Sequence, residues 1–158
     1  MRYQSPSQEL FVHKRNELYK LQKPGSASIV FSNDILPTNA DGNVPFRQNA
    51  DLYSLSGIDQ EETVLVLFPD AAQNSMKEML FIKETNEHIA VWEGEKHSQQ
   101  RAKEISGIQN VFWLNEMEAK LKYVFHEAEC VYLNANEHTR RWVETETRTE
   151  RENKKLQA

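Results

Sequence analysis

The sequence predicts an α/β domain in which a mixed sheet of about five or six strands is flanked by helices. Three stretches carry that expectation. Thr63–Phe68, TVLVLF, is apolar on both faces, as a strand in the middle of a doubly covered sheet must be. Glu78–Ile82, EMLFI, follows after roughly ten residues broken by Pro69-Asp70, which suits an antiparallel hairpin with a loose loop. From Val111 onward the order is strand, helix, strand, which favours a parallel pair joined by a right-handed crossover.

The other elements follow in order. Ser7 is placed to cap a first helix, and Glu9 puts negative charge at its positive end. Leu10, Phe11, Leu18 and Leu21 recur at helical spacing as one apolar stripe, interrupted by Lys14, whose stem can snorkel. Pro24-Gly25 ends that helix, and Ser26–Phe31 reads as a buried strand. Asn33–Asn49 is a long polar loop, and Asp51–Leu55 reads as a further strand closed by Gly57. Ser98 caps a short helix that ends at Gly107. Val111–Leu114 is a strand, and Asn115 caps a helix through about Phe125 with Met117, Leu121, Val124 and Phe125 on one face. Cys130–Leu133 is the last strand. His138–Lys155 mixes charges of both signs, with Glu144–Arg148 and Glu150–Lys154 at i, i+4, and reads as a solvent-exposed helix. The expected division is a domain over 1–135 and a charged connecting helix over 136–158.

Bulk properties narrow the function. The 158 residues, 39% hydrophobic and 27% charged, fit one globular domain, and the net charge of −5 leaves no overall footprint for nucleic acid or an anionic membrane. No apolar run approaches the roughly 20 residues of a membrane span. The amino terminus lacks a signal-peptide core, which favours the cytoplasm. A single cysteine, Cys130, excludes an internal disulfide, and its apolar strand suggests a core position rather than a nucleophile. The histidines, His13, His88, His97, His126 and His138, form no HExxH pair and no i, i+3 or i, i+4 pair on a predicted helix, so no metal site is expected. No G-x-S-x-G elbow or glycine-rich phosphate loop occurs.

The chemistry-bearing residues concentrate in Asn39–Gly57, NADGNVPFRQNADLYSLSG. Arg47 can clamp a carboxylate, or tie the loop down by pairing with Asp41 or Asp51; the second is favoured, because a half-buried charge needs a partner. Asp41 precedes Gly42 and is either a turn acid or a site residue. Trp92, beside Glu93-Gly94, is either an anchor for a subunit contact or a cover for the sheet.

The run Asp41…Pro45-Phe46-Arg47-Gln48-Asn49-x-Asp51-Leu52-Tyr53-x-Leu55-x-Gly57 resembles the signature of the amino-terminal domain of Xaa-Pro aminopeptidases (aminopeptidase P), relatives of prolidase and creatinase. Pro24-Gly25-Ser26 and Val91-Trp92-Glu93-Gly94 agree in order, and the resemblance runs from about Glu9 to Val131. Leu52, Ser54 and Ser56 depart from the phenylalanine, second aromatic and threonine of the pattern, and Lys96 from its common arginine. The resemblance implies a creatinase/ribonuclease H-like amino-terminal fold. It implies that hydrolysis belongs to a separate carboxy-terminal domain, where two aspartates, a histidine and two glutamates hold two divalent metal ions, commonly manganese. It places Asp41 and Trp92 at the substrate entrance or a subunit contact, and Arg47, Asp51 and Tyr53 in the loop scaffold. The implied partners are the chain's own catalytic domain, further copies of the subunit, and peptides with proline second. Two alternatives stay open: a stand-alone module of this fold that binds peptides or proteins, and a Mg²⁺ nuclease, which the few acids on the predicted strands disfavour.

Overall fold

A strand with no polar face needs a layer on each side, and the structure supplies both. The computed structural model describes residues 6–38, 42–85, 96–135 and 146–158. Among them five strands form one mixed sheet: β1 (Ser26–Phe31), β2 (Val64–Leu67), β3 (Glu78–Ile82), β4 (Asn110–Trp113) and β5 (Cys130–Leu133), in the order β4-β3-β2-β1-β5. β2 is central and antiparallel to both neighbours, while β4 and β5 add parallel to the outer edges of β3 and β1. Alternate residues supply two cores. Ala27, Ile29, Phe31, Val64, Val66, Met79 and Phe81 face α4 (Met117–Glu127) and Leu156 of α5 (Arg148–Gln157). Val30, Leu65, Leu67, Leu80 and Ile82 face α1 (Gln8–Leu21), α2 (Ala50–Ser56) and α3 (Gln99–Ser106).

Five expectations are corrected. Residues 51–55 are helical, within α2: the Asn49 side chain accepts from the amides of Asp51 and Leu52, and Gly57 closes the helix in the left-handed region with its amide on the Tyr53 carbonyl. The Leu52/Leu55 spacing that broke strand alternation is a helical one. β4 and β5 do run the same way, but they lie at opposite edges and do not pair, because the β1-β2-β3 meander fills the middle. On α1, Leu10 and Leu21 are exposed, and the inward side carries Phe11, Arg15, Leu18 and Tyr19. Cys130 is exposed: on edge strand β5, Val131 and Leu133 take the core face, so Cys130 and Tyr132 point the other way. The charged tail is also docked rather than free, since α5 buries Thr149 and packs Leu156 on the core. Of the residues invoked for that tail, His138 and Glu144 lie outside the described residues.

One charge is buried with the core. Arg15 is 1% exposed; its Nε donates to Glu78 Oε1 at 3.0 Å and its Nη1 to the Leu55 carbonyl at 2.7 Å. Tyr19 donates to the same Glu78 oxygen at 2.5 Å. The guanidinium therefore ties α1 to α2 and β3, and meets the demand that a buried charge be paired. Phe11, one turn earlier, packs edge-on against Tyr53 at 6.2 Å. Its ring also lies so close to Gly57 that a Cβ there would stand 2.3 Å from Phe11 Cε2.

Removing Glu78 leaves Arg15 buried without its counter-charge. Glu78→Ala should lower the unfolding free energy by about 2 kcal/mol in urea titration, discounted for the partial exposure of the carboxylate. Burial, then the Glu78 bond, pushes the Tyr19 hydroxyl above its ordinary 10.0. Its contribution is therefore fully present below about pH 10 and lost as pH rises further. The stability difference between the wild type and Tyr19→Phe should shrink above that pH.

Candidate functional site

β1, β3, β4 and β5 run in one direction, so their carboxy ends share one rim of the sheet with the start of β2. That rim is where open α/β sheets usually hold ligands. Here it carries the long loop after β1, the turn before β2, and the amino-terminal half of α5. Between them lies a cleft of about 490 Å³ lined by Asn33, Asp34, Glu61, Glu62, Arg148 and Arg151, among others.

The loop after β1 is not shapeless. Thr38 donates its amide to the Gly42 carbonyl at 2.8 Å, Val44 donates to Leu36 at 2.9 Å, and Pro37 bridges Asn43. The segments 32–38 and 42–49 thus fold back on each other as an arm, whose Ile35, Leu36 and Val44 are exposed. At its base Asn33 Nδ2 donates to the Arg47 carbonyl at 3.0 Å. Gln48 Nε2 donates to the carbonyls of Ile58 and Gln60, at 3.1 and 2.8 Å, and its Oε1 accepts from the Asn49 amide. The amides of the signature therefore build the corner that leads into α2.

The acids of the cleft are paired. Glu61 meets Lys96 in a partly buried contact, and Glu62 meets Lys83 at 3.7 Å. Asp34 meets Arg151 at 2.9 Å, and Glu152 meets Lys155 at 2.8 Å. Glu62 holds φ at +52°, a left-handed turn conformation uncommon for a residue with a side chain. The backbone amide of His97 donates to Gln60 Oε1 at 2.7 Å. Lys83 and Lys96 are described residues on either side of 86–95, and both pair at this rim. Among the described residues no three potential metal ligands converge.

The predicted site residues divide. Asp41 and Trp92, and with them His88, lie outside the described residues. Arg47 is exposed and forms no ion pair with Asp51; its backbone, not its guanidinium, holds the arm. Asp51 sits exposed in the first turn of α2, where its charge suits the positive helix end. Tyr53 belongs to the same helix and braces it against Phe11. Residues that sequence reasoning passed over now line the rim: Ser32, Asp34, Glu61, Arg148 and Arg151. Their one sequence signal was Arg148 and Arg151 at i, i+3, which puts two guanidiniums on one side of a helix.

Known proteins fit this architecture. Residues 11–132 match the family model described as "Aminopeptidase P, N-terminal domain". The Xaa-Pro aminopeptidase of Escherichia coli K12 is 27% identical over 126 residues, 80% of this chain and 28% of its own length. That of Haemophilus influenzae is 23% identical over 137 residues, 87% of this chain and 31% of its own. The chain thus spans less than a third of either curated relative. Among solved structures, a Bacillus anthracis protein assigned to aminopeptidase P superposes with a TM-score of 0.83 at 27% identity, over 96% of this chain and 36% of that one. Zinc-substituted Escherichia coli aminopeptidase P in complex with product gives 0.74 at 26% identity, over 86% of this chain and 31% of that one.

The two polar neighbours in the signature should separate by mutation. Gln48→Ala strands the carbonyls of Ile58 and Gln60 and should cost about 1–2 kcal/mol in urea unfolding. Arg47→Ala, at an exposed guanidinium, should stay within about 0.5 kcal/mol of wild type.

Proposed function

The chain belongs to the aminopeptidase P N-terminal domain family, and from that membership we propose that it is the non-catalytic amino-terminal part of a metal-dependent Xaa-Pro aminopeptidase. The carrying observation is the family match over 11–132 in a chain that spans less than a third of its curated relatives. In this reading 1–135 is the amino-terminal domain, and 136–158 leads into a catalytic portion that removes the residue before proline.

The role is geometric. The rim narrows the entrance so that a peptide's free amino end, followed by proline, reaches the reacting centre. Asp41 and Trp92 act at that entrance or at a contact with a neighbouring subunit, and the protein works in the cytoplasm as a homo-oligomer. The exposed Ile35, Leu36 and Val44 suit an arm that meets another protein surface. Two divalent ions, manganese by preference, would supply a Lewis acid and an activated water in the catalytic portion. They do not fit the described residues here, where no ligand cluster forms and each acid of the cleft is paired with a cation. Hydrolysis therefore needs ligands from outside these residues.

The test compares the purified 158-residue chain with the product of the complete reading frame that encodes it. With Mn²⁺ and a Gly-Pro-X peptide, the complete product should release glycine and the 158-residue chain should not. In the complete product, Asp41→Ala and Trp92→Ala should each lower kcat/KM at least about tenfold. Metal-dependent cleavage by the 158-residue chain alone would overturn the proposal. So would a frame that ends at Ala158, which would favour the peptide-binding module.

A further inference from the structure

Among the described residues the arm closes with two backbone hydrogen bonds of its own and leaves Ile35, Leu36 and Val44 exposed. Its base is different. Ser32 is fully buried and extends the β1–β2 ladder by one residue, its amide donating to the Thr63 carbonyl at 2.9 Å. The Ser32 hydroxyl oxygen accepts twice, from the Thr63 amide at 3.1 Å and from Arg148 Nη1 at 2.8 Å. Two residues along the arm, Asp34 accepts from Arg151 Nη2 at 2.9 Å, while Nη1 of the same arginine holds the Glu146 carbonyl at 2.8 Å. Two residues further on, Asn153 donates to the Asn134 carbonyl just past β5, at 2.9 Å. One helix thus grips the ends of β1 and β5 and the first residues of the arm.

We infer that α5 is a strap that aims the arm, with Arg148 and Arg151 as positioning residues acting through Ser32 and Asp34. The two arginines lie one turn apart and meet alternate residues of the segment that leaves β1, so they fix both its place and its direction. A helix that merely covered the core would need Thr149 and Leu156, not two guanidiniums spent on the residues that enter a loop. The consequence for catalysis, and only that, rests on the proposed function. α5 is the last described element of a chain whose relatives are about three times as long, so a shift of α5 would be passed directly to the arm.

The test needs the 158-residue chain and no enzymatic activity. Hydrogen exchange is followed by NMR at the Thr38 and Val44 amides, which close the arm, and at Leu65 and Val66 in central β2. Arg151→Ala and Asp34→Ala should each speed exchange at Thr38 and Val44 about two- to fivefold, and the double variant should add little to either single one. The charge swap, Asp34→Arg with Arg151→Asp, should restore slow exchange. Arg148→Met should speed the arm about tenfold, because it removes a partly buried, charge-assisted bond. Unchanged rates at Thr38 and Val44, or equal acceleration in β2, would overturn the inference, the second by showing that α5 supports only the core. Failure of the peptidase reading would appear in the peptide assay and leave these rates untouched.

Discussion

A strand without a polar face, Val64–Leu67, sets the terms for the whole domain. Both of its sides must be shielded from water, so the chain has to deliver helices to two faces of one sheet. With β2 antiparallel between β1 and β3, both neighbours of the centre point the same way, and the two remaining edges take β5 and β4 parallel to them. Four carboxy ends then gather at one rim. The arm, the cleft and the amino-terminal half of α5 meet there as a consequence of how one apolar run was buried.

Much of that plan was legible. Apolar runs with β-branched residues marked β1, β2 and β3, and serine and glycine at its ends marked α3. What escaped depended on partners distant in sequence. A stripe search rewards apolar residues, so it chose Leu10 and Leu21 on α1 and passed over Arg15, whose burial is made tolerable by Glu78, 63 residues away. α2 was missed because its start is fixed by a side chain, Asn49, rather than by periodicity. Strand order escaped because the places of β4 and β5 depend on which edges the meander leaves free. Cys130 illustrates the same limit: an apolar strand at an edge has one side that the core does not use.

The site was half legible for a related reason. The polar stretch drew attention to the loop after β1, yet its roles are divided differently from what charge alone suggests. Gln48 and Asn49, neutral amides, do the holding, and Arg47 lends only its carbonyl. Arg148 and Arg151, which looked like the solvated face of a charged helix, instead enter the rim. Charge density on a helix cannot distinguish water from a buried serine as the group that receives a guanidinium.

Gly57 shows how unevenly freedom is distributed along such a chain. Two unrelated constraints fall on it: a left-handed backbone, which disfavours any side chain, and the Phe11 ring where a Cβ would stand. Shrinking Phe11 would clear the space but leave the backbone angle; relaxing the backbone would leave the ring. No single compensating change opens the position, so in evolutionary terms it is closed by two locks with separate keys. Exposed Arg47, ten residues earlier in the same stretch, is free to drift without disturbing the fold.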